Sequence, residues 1–229
     1  MRPALLAPLK TRVPDNLQFL ELTPRDWIGI GGTVGKDLQQ LTQHYPCVCL
    51  SQSLSLGGPS VLDKQVLRDL RNFIAEHGIQ VFSEALAWSA DDAPLFINLP
   101  IPSTREAVKW TVSRIAQVQE ALGLRIGIRN VMHHMAPTLV EMNEAEFISE
   151  VVSASGCNLH LDLHALAANG LNFGFDPHAF LCALPLGSID YVRVGREYPL
   201  LGDVLARTHR RVARCVDDVK QLNLEALTC

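Results

Sequence analysis

The stretch Cys157-Asn158-Leu159-His160-Leu161-Asp162-Leu163-His164 holds the residue types best suited to chemistry. Strict alternation predicts a β-strand over 158–164 with His160, Asp162 and His164 on one face and leucines on the other. Neutral imidazole and carboxylate are ligands that a single divalent ion such as iron or zinc accepts, and the same groups serve general acid–base catalysis. His133-His134 follows the preceding predicted strand, so one of that pair is a further candidate ligand. The competing reading is structural, because an inward histidine is more often hydrogen-bonded than metallated.

The elements that would position these groups are legible as alternating short apolar runs and longer amphipathic ones. Strands are predicted at 17–22, 47–51, 81–87, 125–130, 158–164 and 191–194. Helices are predicted at 35–44, 63–77, 103–122, 143–153, 177–184 and 203–221, the last within a C-terminal helical segment 203–227. Asn143-Glu144-Ala145-Glu146 reads as an N-cap with an acidic first turn, and Gly78, Gly123 and Gly156 stand where helices should stop. Successive βα units imply an α/β fold with a parallel sheet closed, or partly closed, into a TIM-barrel-like structure. A complete eight-stranded barrel runs to about 250 residues, so the 229 residues here predict one domain, 1–229, incomplete at its C-terminus.

Composition narrows the function classes. A hydrophobic content of 48% marks a globular chain, and a net charge of −4 supplies no basic field for nucleic acid. Arg207, Arg210, Arg211 and Arg214 form a local basic stripe, which helical spacing and the neighbouring Asp217 and Asp218 make a solvated face. No apolar run reaches membrane-spanning length and the N-terminus lacks a secretory hydrophobic stretch, so the chain is expected to be cytoplasmic. Six cysteines without a C-x-x-C pair read as reduced, mostly small core residues, with Cys47 and Cys49 sharing a strand face. The loop Gly29-Ile30-Gly31-Gly32-Thr33-Val34-Gly35 misses both the dinucleotide and the P-loop spacing.

Several segments, in order, resemble one family. Phe19-Leu20-Glu21-Leu22 through Gly29 is similar to F-x-E-V-H-x-E-N-Y-M-G, and Leu50 through Gly57 to H-G-V-S-L-S-L-G. Phe82-Ser83-Glu84-Ala85-Leu86-Ala87-Trp88 resembles V-S-E-H-L-A-W, followed by Asn98-Leu99-Pro100-Ile101-Pro102. Gly174-Phe175-Asp176-Pro177, Leu184-Pro185-Leu186 and Val192-Arg193-Val194-Gly195-Arg196 resemble G-F-D-P, L-P-L and I-H-L-A-G-H. Over about residues 2–196 the chain thus resembles the multinuclear non-heme iron-dependent oxidative enzymes, the group that includes the methanobactin-biosynthesis oxidase.

That resemblance implies a xylose-isomerase-like barrel, two or three irons at the C-terminal ends of the strands, and peptide substrates handled with a small partner protein. Carried over residue by residue, the ligand set is mostly replaced. The family's histidines correspond here to Leu50, Ala85, Arg193 and Arg196, and a glutamate to Arg129; of the aligned ligands only Asp162 remains. Arginine brings a charge that does not titrate away. Arg129 and Arg193 are therefore expected either to reach Asp162 or Glu84 in charge-assisted pairs or to face solvent and an anionic ligand. The candidate binding set is Glu84, Arg129, Asp162, Arg193 and Arg196; the candidate metal set is His160, Asp162 and His164. Three functions stay open: a degenerate relative without cofactor that binds a peptide or partner protein, a metalloenzyme with a rebuilt mononuclear site, and an anion-binding barrel. An open sheet edge would also suit a homo-oligomer.

Overall fold

Short runs that carry apolar residues between turn signals give the strands β1 (Leu20–Leu22), β2 (Cys47–Ser51), β3 (Val81–Ala85), β4 (Trp88–Ala90), β5 (Pro94–Leu99), β6 (Gly127–Arg129), β7 (Asn158–Asp162) and β8 (Ile189–Arg193). The helices are α1 (Leu6–Thr11), α2 (Gly32–His44), α3 (Lys64–Glu76), α4 (Arg105–Leu122), α5 (Glu144–Ser155), α6 (Leu163–Phe173) and α7 (Pro177–Ala183). This computed structural model describes residues 1, 3–11, 17–91 and 93–193. Helix starts follow local chemistry. Asp63 caps α3 by accepting from Gln65 and Val66, and Asn143 with Glu146 forms a reciprocal capping box on α5. Gly123 and Gly156 end α4 and α5 in the left-handed region.

Six strands pair in parallel in the order β1-β2-β3-β6-β7-β8, and β4 and β5 form a separate antiparallel hairpin. Register assigns the two faces, because side chains alternate along a strand and paired residues share a side. Leu22, Cys49, Phe82, Ile128, Leu159 and Leu161 line the helix-facing side, packed in one core with Leu70, Ile115, Ile148 and Val151 of α3, α4 and α5. The opposite face carries the polar side chains Glu21, Ser83, Arg129, His160, Asp162, Tyr191 and Arg193, with Val48, Leu50 and Ala85 between them.

In a flat sheet of six strands the outer two would lie about 24 Å apart, at about 4.8 Å per spacing. Here their side chains touch. The Tyr191 hydroxyl of β8 donates to Glu21 Oε2 of β1 at 3.1 Å, and the Phe19 and Tyr191 rings meet edge-on with centroids 6.0 Å apart. The sheet is therefore curled into a partial barrel around its polar face.

The structure differs from the sequence-based expectations in three respects. The strand predicted over 158–164 stops at Asp162, whose side chain accepts from Ala165 N–H at 3.0 Å and caps α6. His164 accordingly sits in the first turn of a helix that the sequence reading did not separate from the strand. The β4–β5 hairpin was likewise unforeseen, and β1, β3 and β6 are shorter than predicted. Residues 194–229, and with them Arg196, the basic stripe, the segment 203–227, Cys215 and Cys229, lie outside the described residues.

Candidate functional site

The C-terminal ends of β6, β7 and β8 are the residues Arg129, Asp162 and Arg193; Asp162 pairs in register with Arg193, and Arg129 with His160 on the same face. Arg193 Nη1 donates to Asp162 Oδ2 at 3.1 Å, and Arg129 Nη1 stands 3.8 Å from the same oxygen. Arg193 Nε also lies 3.5 Å from Glu21 Oε2. Two guanidinium groups thus face two carboxylates in a chain that spans the curled sheet. Asp162 and Arg129 are buried, whereas the Arg193 side chain is 41% exposed. Burial lowers the pKa of Arg129 from its ordinary value, with Asp162 opposing that shift. For Arg193 burial acts in the same direction, but the Glu21 and Asp162 carboxylates outweigh it and leave the pKa raised.

Beneath this cluster His160 is fully buried, its Nδ1 2.7 Å from Ser83 Oγ and its ring edge-on to Tyr191 at 4.2 Å. Gly127 lies between β3 and β7 at this level, and a Cβ there would meet Ser83 Cβ at 3.3 Å and His160 Cβ at 3.6 Å. The missing side chain is what lets Ser83 and His160 bond across β6. Burial, then the charges of Arg129 and Arg193, hold His160 well below its ordinary pKa, so its imidazole is neutral. Tyr191 is shifted upward by burial and by Glu21.

Glu84 forms no hydrogen bond or ion pair with this cluster, although the charge of Arg129 reaches its carboxyl. It pairs in register with Ser51 and Ile128, one residue out of phase with Arg129, and so belongs to the helix-facing side. Its Oε1 accepts from Leu54 N–H at 3.3 Å while Oε2 is buried without a hydrogen-bond partner, and burial pushes the carboxyl up to about 7. Arg114 of α4 holds the same loop from the other side through the carbonyls of Leu54, Ser55 and Ser60. Both residues fasten the turn after β2.

The proposed metal trio is not assembled on one strand face, since His164 belongs to α6. Among the described residues no three His, Cys, Asp or Glu side chains form a group able to hold a metal ion. His133 is buried in the loop after β6, its Nε2 3.5 Å from Glu144 Oε1, and His134 is exposed. Cys47 and Cys49 are buried in the core, and burial raises the pKa of both, that of Cys47 to about 11. Sequence reasoning missed Glu21, Tyr191 and Ser83, although a glutamate centred in the apolar run Leu20-Glu21-Leu22 was the available signal.

A curled parallel sheet with helices outside it and polar groups at the strand C-termini defines a xylose-isomerase-like, TIM-barrel class of fold, of which the described residues form a partial barrel. Solved structures bear this out. A D-psicose 3-epimerase matches with a TM-score of 0.60 at 12% identity, over 91% of this chain and 75% of its own. A D-allulose 3-epimerase from Methylomonas sp. matches with a TM-score of 0.58 at 15% identity, over 94% and 74%. At these identities the likeness is one of fold. The chain belongs to the family of RiPP precursor modification enzymes MbnB/TglH/ChrH, enzymes acting on ribosomally made peptides, whose model matches residues 1–227. A UPF0276 protein of Nitrosospira multiformis is 36% identical over 208 residues, covering 91% of this chain and 74% of that protein. One from Pseudomonas aeruginosa is 35% identical over 229 residues, covering 100% and 80%. No helix among the described residues is long and apolar enough to cross a membrane.

Proposed function

We propose that this chain is a binding member of its family, one that has given up polynuclear iron oxidation and holds a peptide or an active partner protein in a ribosomal-peptide modification pathway. The observation that carries this reading is the pair of guanidinium groups on Asp162 Oδ2. The residues present do not fit an iron cluster: Leu50 and Ala85 offer no donor atom, and the one aligned carboxylate is already engaged. At about 4 Å and an effective dielectric of about 20, each guanidinium repels each unit of metal charge by about 4 kcal/mol. Glu21 and Asp162 balance Arg129 and Arg193 internally, which favours a structural network over a built receptor for free anions.

The test is metal analysis of untagged protein together with co-purification after co-expression with an intact family member. Substoichiometric iron and zinc with retention of the partner are expected. Several iron atoms per chain would overturn the reading. One equivalent of iron or zinc, lost in His164→Ala, would favour the rebuilt mononuclear site at His160, Asp162 and His164. Tight binding of inorganic phosphate, lost in Arg193→Met, would favour the anion-binding barrel.

A further inference from the structure

Beside the partial barrel, between the loop after β6, the start of α5 and the α6–α7 corner, lies a cavity of about 610 Å³. Its walls are mainly apolar, with Met135, Met142, Phe147, Phe173, Phe175 and Phe180 among them. The size and the sparse polarity are those of ligand sites, which run to about 300–1,000 Å³ with few polar groups. We propose that this cavity seats an aliphatic or aromatic side chain of the bound peptide, adjacent to a cationic group of the same peptide. The proposal rests on the peptide-binding reading above.

Three observations carry it. The rim stays apolar where solvent reaches it: Met135 is 50% exposed and Val140 62%. Such a patch exposed around a cavity is the mark of an interaction site. Second, the charges on the lining are anionic. Among the described residues of the lining, Glu144 and Asp176 contribute carboxylates, no lysine or arginine is present, and His133 is the sole basic group. Asp176 spends one oxygen capping α7, accepting from His178 N–H, whereas Glu144 meets His133 at 3.5 Å and keeps 30% of its side chain in solvent. An incoming ammonium or guanidinium therefore finds a complementary partner in Glu144.

Third, the wall is built onto the site already described. Asn169 of α6 accepts from His133 N–H and donates to the Val131 carbonyl, each at 2.9 Å, and Asn172 donates to the His133 carbonyl at 3.3 Å. The same helix is capped by Asp162. A side chain seated in the cavity thus places its peptide beside the strand ends that carry Arg129 and Asp162.

The four methionines supply the readout, because Met135 and Met142 line the cavity while Met1 and Met132 do not. The full chain, carrying carbon-13 methionine methyls, is titrated with the blocked peptide Gly-Gly-Phe-Lys-Gly-Gly and with counterparts that replace Phe by Ala or Lys by Glu. Saturable shifts of Met135 and Met142 below about 1 mM are expected for the first peptide alone. Glu144→Gln should weaken binding about fivefold, or about 1 kcal/mol. Ala179→Trp, at an exposed position of the lining, should abolish it by filling the space. Equal binding of the Ala peptide, shifts confined to Met1 or Met132, or indifference to Ala179→Trp would each overturn the assignment. Contacts to the Met142 methyl from residues 194–229 or from a second copy of the chain, seen without peptide, would overturn it too. Metal content and partner retention are read separately, so this proposal and the reading beneath it can fail independently.

Discussion

Asp162 has three tasks. One oxygen caps α6, the other receives two guanidinium groups, and its peptide group exchanges bonds with Asn130 in both directions. Removing the carboxylate strands the buried Arg129, so Asp162→Asn should cost about 3 kcal/mol by denaturant unfolding, whereas Arg129→Met leaves Asp162 paired with Arg193 and should cost less. A double-mutant cycle with Asp162→Asn, which keeps a capping oxygen, should return a coupling of about 2 kcal/mol. Coupling near zero would mean that the 3.8 Å contact does not matter. Glu84 makes a second prediction. Its folded pKa, about 7, exceeds its ordinary carboxyl value of 4.5, so the native state holds a proton that the unfolded chain has released. Stability should then fall as pH rises from about 4.5 to about 7 and level off above, by at most about 3 kcal/mol. Glu84→Gln should flatten that slope and exceed the parent in stability at pH 8; an unchanged profile would place the titration elsewhere. That Arg129 and Arg193 would reach a carboxylate was legible as the alternative to facing solvent, but the choice of Asp162 over Glu84 was left open. The position of Glu84 was legible too, because it shares the phase of Phe82.

At the scale of elements, sequence periodicity placed β2 at its observed limits and α2 to α5 within a few residues, where amphipathic spacing and caps coincide. It failed at α6 because alternation continues past the strand end: Leu161, Leu163 and His164 read equally as strand. Residues 163–167 are apolar on nearly every side, so no helical stripe announces the change. Asp162 followed by Ala165 was the only cue, an N-cap without the glutamate that marked α5. The β4–β5 hairpin was hidden for a different reason, since Asp91-Asp92-Ala93-Pro94 carries no Asn-Gly or Asp-Gly turn. Gly127 shows how one element sets the spacing of its neighbours. Gly127→Val would force Ser83 and His160 apart, and overpacking of this kind costs about 1–3 kcal/mol. Thermal unfolding should register that loss, and a Gly127→Ala variant should fall between the two because its Cβ meets Ser83 at 3.3 Å. A valine variant as stable as the parent would show that the strands part without strain.

For the described residues as a whole, the partial barrel raises a question that no single strand answers: what keeps their six-stranded parallel sheet curled. Core packing on the helix side supplies most of the stability, but it acts equally on a flatter sheet. The contacts that act only when β1 and β8 approach are Glu21 with Tyr191 and Arg193, and the edge-on meeting of Phe19 with Tyr191. A hydrogen bond to a charged acceptor contributes about 1.5–3 kcal/mol at best, and less where the acceptor is partly solvated, as Glu21 is. Tyr191→Phe should therefore cost about 1 kcal/mol or less overall. Its effect should be localised: amide exchange should quicken in Leu20–Leu22 and Ile189–Arg193, while β3 and β6, flanked on both sides, stay protected. Adding Glu21→Gln to Tyr191→Phe should quicken exchange at the edges further, because it also removes the carboxylate that Arg193 faces at 3.5 Å. Uniform acceleration across all six strands would assign curvature to the core instead, and Arg193 would then be held to Asp162 by its own strand rather than by the closing of the sheet.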